Sequence, residues 1–222
     1  MIYFLSDPHF GHPNILEYEP KRKEVLGETI EQHDAALIKR INYRVKADDI
    51  LFILGDFSLC SGTVVQAYRE QILCKKVSLI LGNHDKHSVT YYYKCGFSVV
   101  CYEMVLKIAG EFVRLRHHPY KKPWYRCFFP WQYREKDRKK RPVHRGGFLL
   151  HGHIHSGGHK GGAWKVRKKM INVGVDVTNY YPISIREIES LISREKNKET
   201  LVCYVSKKIR SLKRWMQFLT KI

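Results

Sequence analysis

Five times along this 222-residue chain a short apolar run breaks off into a cluster of polar residues. "IYFL" (2–5) runs into Ser6-Asp7-Pro8-His9, "ILFIL" (50–54) into Gly55-Asp56, and "VSLIL" (77–81) into Gly82-Asn83-His84-Asp85. "FVRLR" (112–116) gives way to His117-His118, and "FLL" (148–150) to His151-Gly152-His153-Ile154-His155. The β-branched and aromatic content of these runs predicts buried strands. Helical patterns lie between several of them. The segment from Thr29 to Val45 opens with Thr29 and Gln32 in capping-box spacing and places Ile30, Leu37, Ile41 and Val45 at helical intervals. "TVVQAYREQIL" (63–73), "SVTYYYKCG" (88–96, closed by Gly96) and "SIREIESLISR" (184–194, with Ser184 and Glu187 as a second capping box) also read as helices. "SVVCYEMVLKI" (98–108) and "INVGV" (171–175) add strands. Alternating strands and helices define an α/β chain, and the strand-rich later half points to mixed or paired sheets.

In open α/β sheets ligands gather beyond the carboxyl ends of the strands, so five such ends describe one site. Asp7 with His9, and His153 with His155, are two apart, a spacing that puts both members on one side of an extended chain. Gly55 and Gly82 are expected to let the backbone turn sharply. Carboxylate, amide and imidazole donors without thiolate suit Mn, Fe, Zn or Ni. Asp7, His9, Asp56, Asn83, His117, His153 and His155 are too many for one tetrahedral ion, whereas two ions sharing Asp56 use them all.

Taken together, D-x-H, G-D, G-N-H-D, H and G-H-x-H resemble the five motifs of the calcineurin-like metallophosphoesterase family. "DPHFGHPNI", with "GDFS" and "NVGVDV", resembles a small single-domain branch found in bacteria and phages. The resemblance implies a four-layer α/β fold, with two mixed β-sheets packed face to face and flanked by helices. It implies that Asp7, His9 and His155 hold one divalent ion, that Asn83, His117 and His153 hold the other, and that Asp56 bridges them. It makes His84 the catalytic acid that protonates the leaving alkoxide after attack by a metal-bridging hydroxide, with Asp85 steering its ring. The chain departs from many members at Leu59, where they carry an acid. In "HHP", His117 takes the ligand place and His118 the variable one. His12 and His118 are candidate substrate contacts, while Asn172 and Asp176 read as loop anchors.

The charge balance speaks to partners. Lys and Arg number 40 against 21 acids, a net +19. Residues 120–147 carry 10 basic and 2 acidic groups, 158–169 carry 5 and none, and 194–222 carry 9 and 2, so the rest is nearly neutral. The 120–147 insertion interleaves Trp124, Tyr125, Phe128, Phe129, Trp131 and Tyr133 with Lys121, Lys122, Arg126 and Arg134. Cations that follow phosphates and rings that stack on bases suit a nucleic-acid or nucleotide substrate. The expected organisation is a domain over 1–195 followed by a basic amphipathic extension, 196–222. Its apolar face (Val205, Ile209, Leu212, Met216, Leu219) suits docking on its own domain, a membrane surface or a partner. Six cysteines without a CxxC spacing read as reduced thiols in a cytoplasmic protein. The expected activity is a phosphodiesterase on nucleic acid or nucleotides that uses two divalent ions, Mn first. The alternatives are a phosphomonoesterase or small-nucleotide hydrolase, and a non-catalytic binding module.

Overall fold

The computed structural model describes residues 1–59, 63–120, 142–143, 146–156 and 169–198. The aromatic and basic groups expected between 121 and 141, and the amphipathic face after 198, lie outside the described residues. In chain order the elements are β1 (Ile2–Leu5), α1 (Ile15–Tyr18), α2 (Pro20–Leu26), α3 (Ile30–Arg44), β2 (Ile50–Ile53), α4 (Thr63–Gln71), β3 (Lys76–Ile80) and α5 (Val89–Lys94). There follow β4 (Val99–Cys101), β5 (Met104–Ile108), β6 (Glu111–Leu115), β7 (Phe148–His151), β8 (Met170–Asn172), a 3-10 turn at Val175–Val177 and β9 (Ile183–Ser184). A last helix, α6, covers 185–198 among the described residues.

The strands form two mixed sheets. The first has the order β4-β3-β2-β1-β9, parallel except for β9; the second has the order β5-β6-β7-β8, with β5 antiparallel to β6 and the rest parallel. The period of two along each strand sorts the core into two layers. Leu5, Leu51, Ile53, Val77 and Leu79 face a helical layer with Leu37, Ile41 and Tyr92. Phe4, Phe52 and Ile80 face the other way, onto Val113, Leu115, Phe148, Leu150 and Ile171 of the second sheet and Ile188 and Ile192 of α6. The sheets therefore pack face to face, with helices outside the first.

The α3 capping box forms as its sequence predicts: Gln32 N–H donates to Thr29 Oγ1, and Thr29 N–H donates to Gln32 Oε1. "INVGV" is strand only as far as Asn172, whose side chain accepts the Gly174 N–H and turns the chain into the 3-10 segment. The short α1 and α2 had no clear apolar period to announce them.

β1, β2, β3, β6 and β7 are the five strands whose ends attracted attention in the sequence. Within each sheet they run parallel, so their carboxyl ends share an edge. Ser6 bridges to Gly174, and His153 N–H reaches the Asp7 carboxylate, which closes the two edges on each other.

Candidate metal centre

Asp7, His9 and His155 bring ligand atoms within 4.8 Å of one another, as do Asp7, Asp56 and His117, and His117, His118 and His153. Asn83 joins them: its Oδ1 lies 3.0 Å from His117 Nε2, which in turn is 3.3 Å from Asp56 Oδ2. All seven expected ligand residues thus meet at the junction of the two sheets.

They do not meet on extended backbone. Asp7 (φ 60°), His9 (φ 54°), Asp56 (φ 53°), His153 (φ 70°) and His155 (φ 45°) are all left-handed. The spacing of two therefore works through tight turns, at about 1–3 kcal/mol of local strain apiece. Surrounding hydrogen bonds hold that strain in place: Asp7 N–H donates to Gly55 O, His9 N–H to Asp56 O, and Phe10 N–H to Phe57 O. Of the two glycines expected to turn the chain, only Gly55 (φ 92°) has the left-handed conformation. Gly82 is needed for space, since a Cβ there would lie 2.2 Å from Asp56 Oδ1.

The donors fit divalent ions on their own chemistry. His117 Nδ1 donates to the Leu54 carbonyl at 2.8 Å, so the lone pair on Nε2 points at two further acceptors, Asn83 Oδ1 and Asp56 Oδ2. Three lone pairs converging in a buried space require a cation or a proton between them. The electrostatics agree. Burial opposes a charge on His117, but Asp56 and Asp7 carry it up to about 9. Burial likewise opposes ionisation of Asp56, yet His117, His9 and His84 hold its carboxyl far below the usual range. Burial pushes Asp7 up against the pull of His117 and His155. His9 is 2 % exposed and neither ring nitrogen has a hydrogen bond, an unmet demand that a bound ion would answer.

His155 and the loop of Asp7 are oriented from behind. His155 Nδ1 donates to Asp176 Oδ2 at 2.8 Å, which fixes the tautomer and frees Nε2 to face the site. Asp176 is clamped by Arg22 at 2.6 and 2.7 Å, and that ion pair holds its carboxyl well below the usual carboxylate range despite burial. Arg22, 0 % exposed, also donates to the carbonyls of Asp7 and Pro8. Asn172 Nδ2 donates to His155 O. Asn172 thus bonds the backbone on both sides of its loop, whereas Asp176, read from the sequence as a loop anchor, orients the His155 ring. Arg22 escaped that reading because "PKRKEVL" offers three neighbouring basic residues, and nothing local marks the buried one.

Three expectations are corrected or refined. Asp85 does not steer the His84 ring. Its carboxylate accepts the backbone N–H groups of Asp56, Phe57 and Gly82, which ties the β2 and β3 loops together. Burial and the charge of Asp56 nonetheless push Asp85 up to about 6. His118 is 5 % exposed, with its ring 4.4 Å from that of His153, so it enters as a third imidazole beside His117 and His153 and not as a group on the open rim. His12 does sit at that rim, half-buried, with its ring 5.7 Å from that of His9; burial and the nearby His84 lower its pKa. His84 is half-exposed, bound through its backbone N–H to Asp56 Oδ1 at 2.8 Å, with Nε2 4.0 Å from Asp56 Oδ2.

A cluster of carboxylate, amide and imidazole donors where the parallel strands of two stacked mixed sheets end is the architecture of a metal-dependent phosphoester hydrolase. The profile of the calcineurin-like phosphoesterase family matches residues 1–202, and the chain belongs to that family. It is 29 % identical over 203 residues to an uncharacterized protein of Methanocaldococcus jannaschii, a match covering 90 % of this chain and 96 % of that one. It is 30 % identical over 196 residues to the gene 66 protein of Mycobacterium phage L5, covering 78 % and 86 %. A crystal structure of an Aquifex aeolicus protein of unknown function superposes with a TM-score of 0.62 at 26 % identity, covering 86 % of this chain and 98 % of that one. Among the described residues no helix is long and apolar enough to cross a membrane.

Proposed function

We propose that the protein is a dinuclear phosphodiesterase acting on nucleic-acid or nucleotide phosphodiesters, with Mn²⁺ as the first ion to test. In this reading Asp7, His9 and His155 would hold one ion and Asn83, His117 and His153 the other, with Asp56 serving both. The observation that carries it is the convergence of His117 Nε2, Asn83 Oδ1 and Asp56 Oδ2, which are mutually repulsive without a cation or proton between them. When bound, such ions generate a nucleophile from water near neutral pH and offset charge on the phosphate oxygens. The chain's own contribution is positional and acid–base. Asp56 holds the backbone of His84, so that its ring stands at the open side, where it donates a proton to the departing alkoxide. His12, on the same rim, is placed to touch the substrate. The preference for a polyanionic diester is supported by the net charge of +19.

The test is hydrolysis of an aryl phosphodiester and the matching monoester side by side, with Mn²⁺, followed by oligonucleotides at rising salt. Faster diester cleavage, lost on chelation, and oligonucleotide cleavage that falls steeply with salt are expected. Monoester preference, or activity on nucleotides indifferent to salt, overturns the polymer substrate. His84→Asn should lower kcat by about 10²–10⁴-fold with ion content unchanged, and lost ions would refute its role as acid.

A further inference from the structure

The contacts that brace Asp7 and His155 do not stop at Arg22. Arg22 Nη1 lies 3.4 Å from His33 Nε2, and His33 Nδ1 lies 2.7 Å from Asp34 Oδ1. The other Asp34 oxygen accepts the Gly11 N–H at 2.8 Å and the Tyr68 hydroxyl at 2.7 Å. His33 and Asp34 are buried neighbours on α3, at the place where its apolar stripe of Ile30, Leu37, Ile41 and Val45 misses a turn. A polar pair there, bonded to the first-motif loop at Gly11 and to the Arg22 that holds the same loop, is more than helix packing requires.

The chemistry of the pair has a direction. A guanidinium only donates, so the His33 nitrogen facing Arg22 is the acceptor and the ring proton sits on Nδ1. Asp34 receives that proton and thereby fixes the tautomer, which allows a buried imidazole to accept from a buried cation. The same carboxylate grips the first-motif loop at its far end. Arg22 holds that loop at the carbonyls of Asp7 and Pro8, and Asp34 holds it at Gly11 (φ 69°). Between those grips stands His9, whose ring has no hydrogen bond to orient it. Its aim is set by the backbone and by the stacking of its ring on that of His155, 5.0 Å away.

We propose that His33 and Asp34 are positioning residues: a His–Asp pair on α3 that sets the loop carrying Asp7 and His9, and through it the first half of the site. In so far as it concerns ions, the inference rests on the reading given under Proposed function.

The test uses the full chain, titrated with Mn²⁺ alone by calorimetry, with amide hydrogen exchange followed at Gly11. Asp34→Asn, which must turn an amide NH₂ toward His33 or toward Gly11 and Tyr68, should weaken one Mn²⁺ step by about 10–100-fold and leave the other unchanged. Gly11 exchange should quicken, and kcat for the aryl diester should fall at constant KM. His33→Gln keeps a donor for Asp34 and an acceptor for Arg22 and should preserve the first step; His33→Leu should weaken it. If Asp34→Asn does not fold, Tyr68→Phe removes one donor from the same carboxylate and should weaken the same step more mildly. Equal weakening of both steps, exchange quickened throughout the chain, or no change at all overturns the positioning role. Uptake of fewer than two Mn²⁺ by the unaltered chain would instead break the dinuclear reading. Gly11 exchange in the Gln and Leu variants would still decide the inference.

Discussion

His155 is aimed by a side-chain carboxylate, Asp176, whereas His117 is aimed by the main-chain carbonyl of Leu54. That contrast runs through the whole site. In the two-ion reading proposed above, the first half, Asp7 with His9 and His155, leans on a buried ion pair between residues 22 and 176 and on the α3 polar pair beyond it. The second half, Asn83 with His117 and His153, leans on main chain: a β2 carbonyl, the three N–H groups gathered by Asp85, and glycines that bring strand ends into contact. The same imidazole donor can thus be aimed by a charged side chain or by backbone. The two supports fail in different ways: removing one partner of the charge pair strands a buried charge, while removing the acceptor that gathers the main-chain N–H groups leaves a donor unsatisfied.

Arg22→Met puts the heaviest load on this comparison. It strands the Asp176 carboxylate in a buried site, at a cost of about 3–5 kcal/mol. Urea unfolding should report that loss, and Mn²⁺ titration should show the first half failing while the second still binds. Equal loss from both halves would erase the distinction. Gly152→Ala comes next. Its Cβ would lie 2.0 Å from Ser6 Oγ and 2.2 Å from Asp7 Oδ2, so Asp7 must move. Overpacking of about 1–3 kcal/mol is expected, again with the first half losing its ion. Asp85→Asn tests the backbone side. An amide offers one acceptor oxygen to three N–H donors and leaves at least one unsatisfied, at about 1–3 kcal/mol. Here the second half should weaken, and an effect confined to the first would contradict the assignment.

The mildest test is pH. In chelator-treated protein His117 titrates at about 9, above its ordinary 6.5, because Asp56 and Asp7 outweigh burial. Its folded value is raised, so its stabilisation is complete below pH 6.5 and is lost as pH rises through 9. The urea midpoint should fall across that window. His117→Asn should flatten the fall, as should saturating Mn²⁺.

Much of this was written in the order of residues. Strand ends were legible because a buried strand must shed its apolar run before it can carry a ligand, and five such breaks stand out. Parallel pairing then brings the breaks to one edge. The braces were not legible. Arg22 looks like any cation of a basic helix until Asp176 is set against it across the fold. The family resemblance set Asp85 against the His84 ring, but a buried carboxylate takes whichever N–H groups lie nearest in space. One signal was missed that could have been read: the α3 stripe has a gap filled by His33 and Asp34, and a polar pair on an apolar face calls for a partner.

The sequence by itself determined the strands, the capped helices, the donor types and the family they imply, because these depend on local period and on residue chemistry. Only the tertiary structure decided that the paired ligands stand on left-handed turns and that Gly82 is needed for space instead of conformation. It also decided that one half of the site rests on a buried charge and the other on backbone. Those facts turn on distances between residues far apart in the chain, and no periodicity records them.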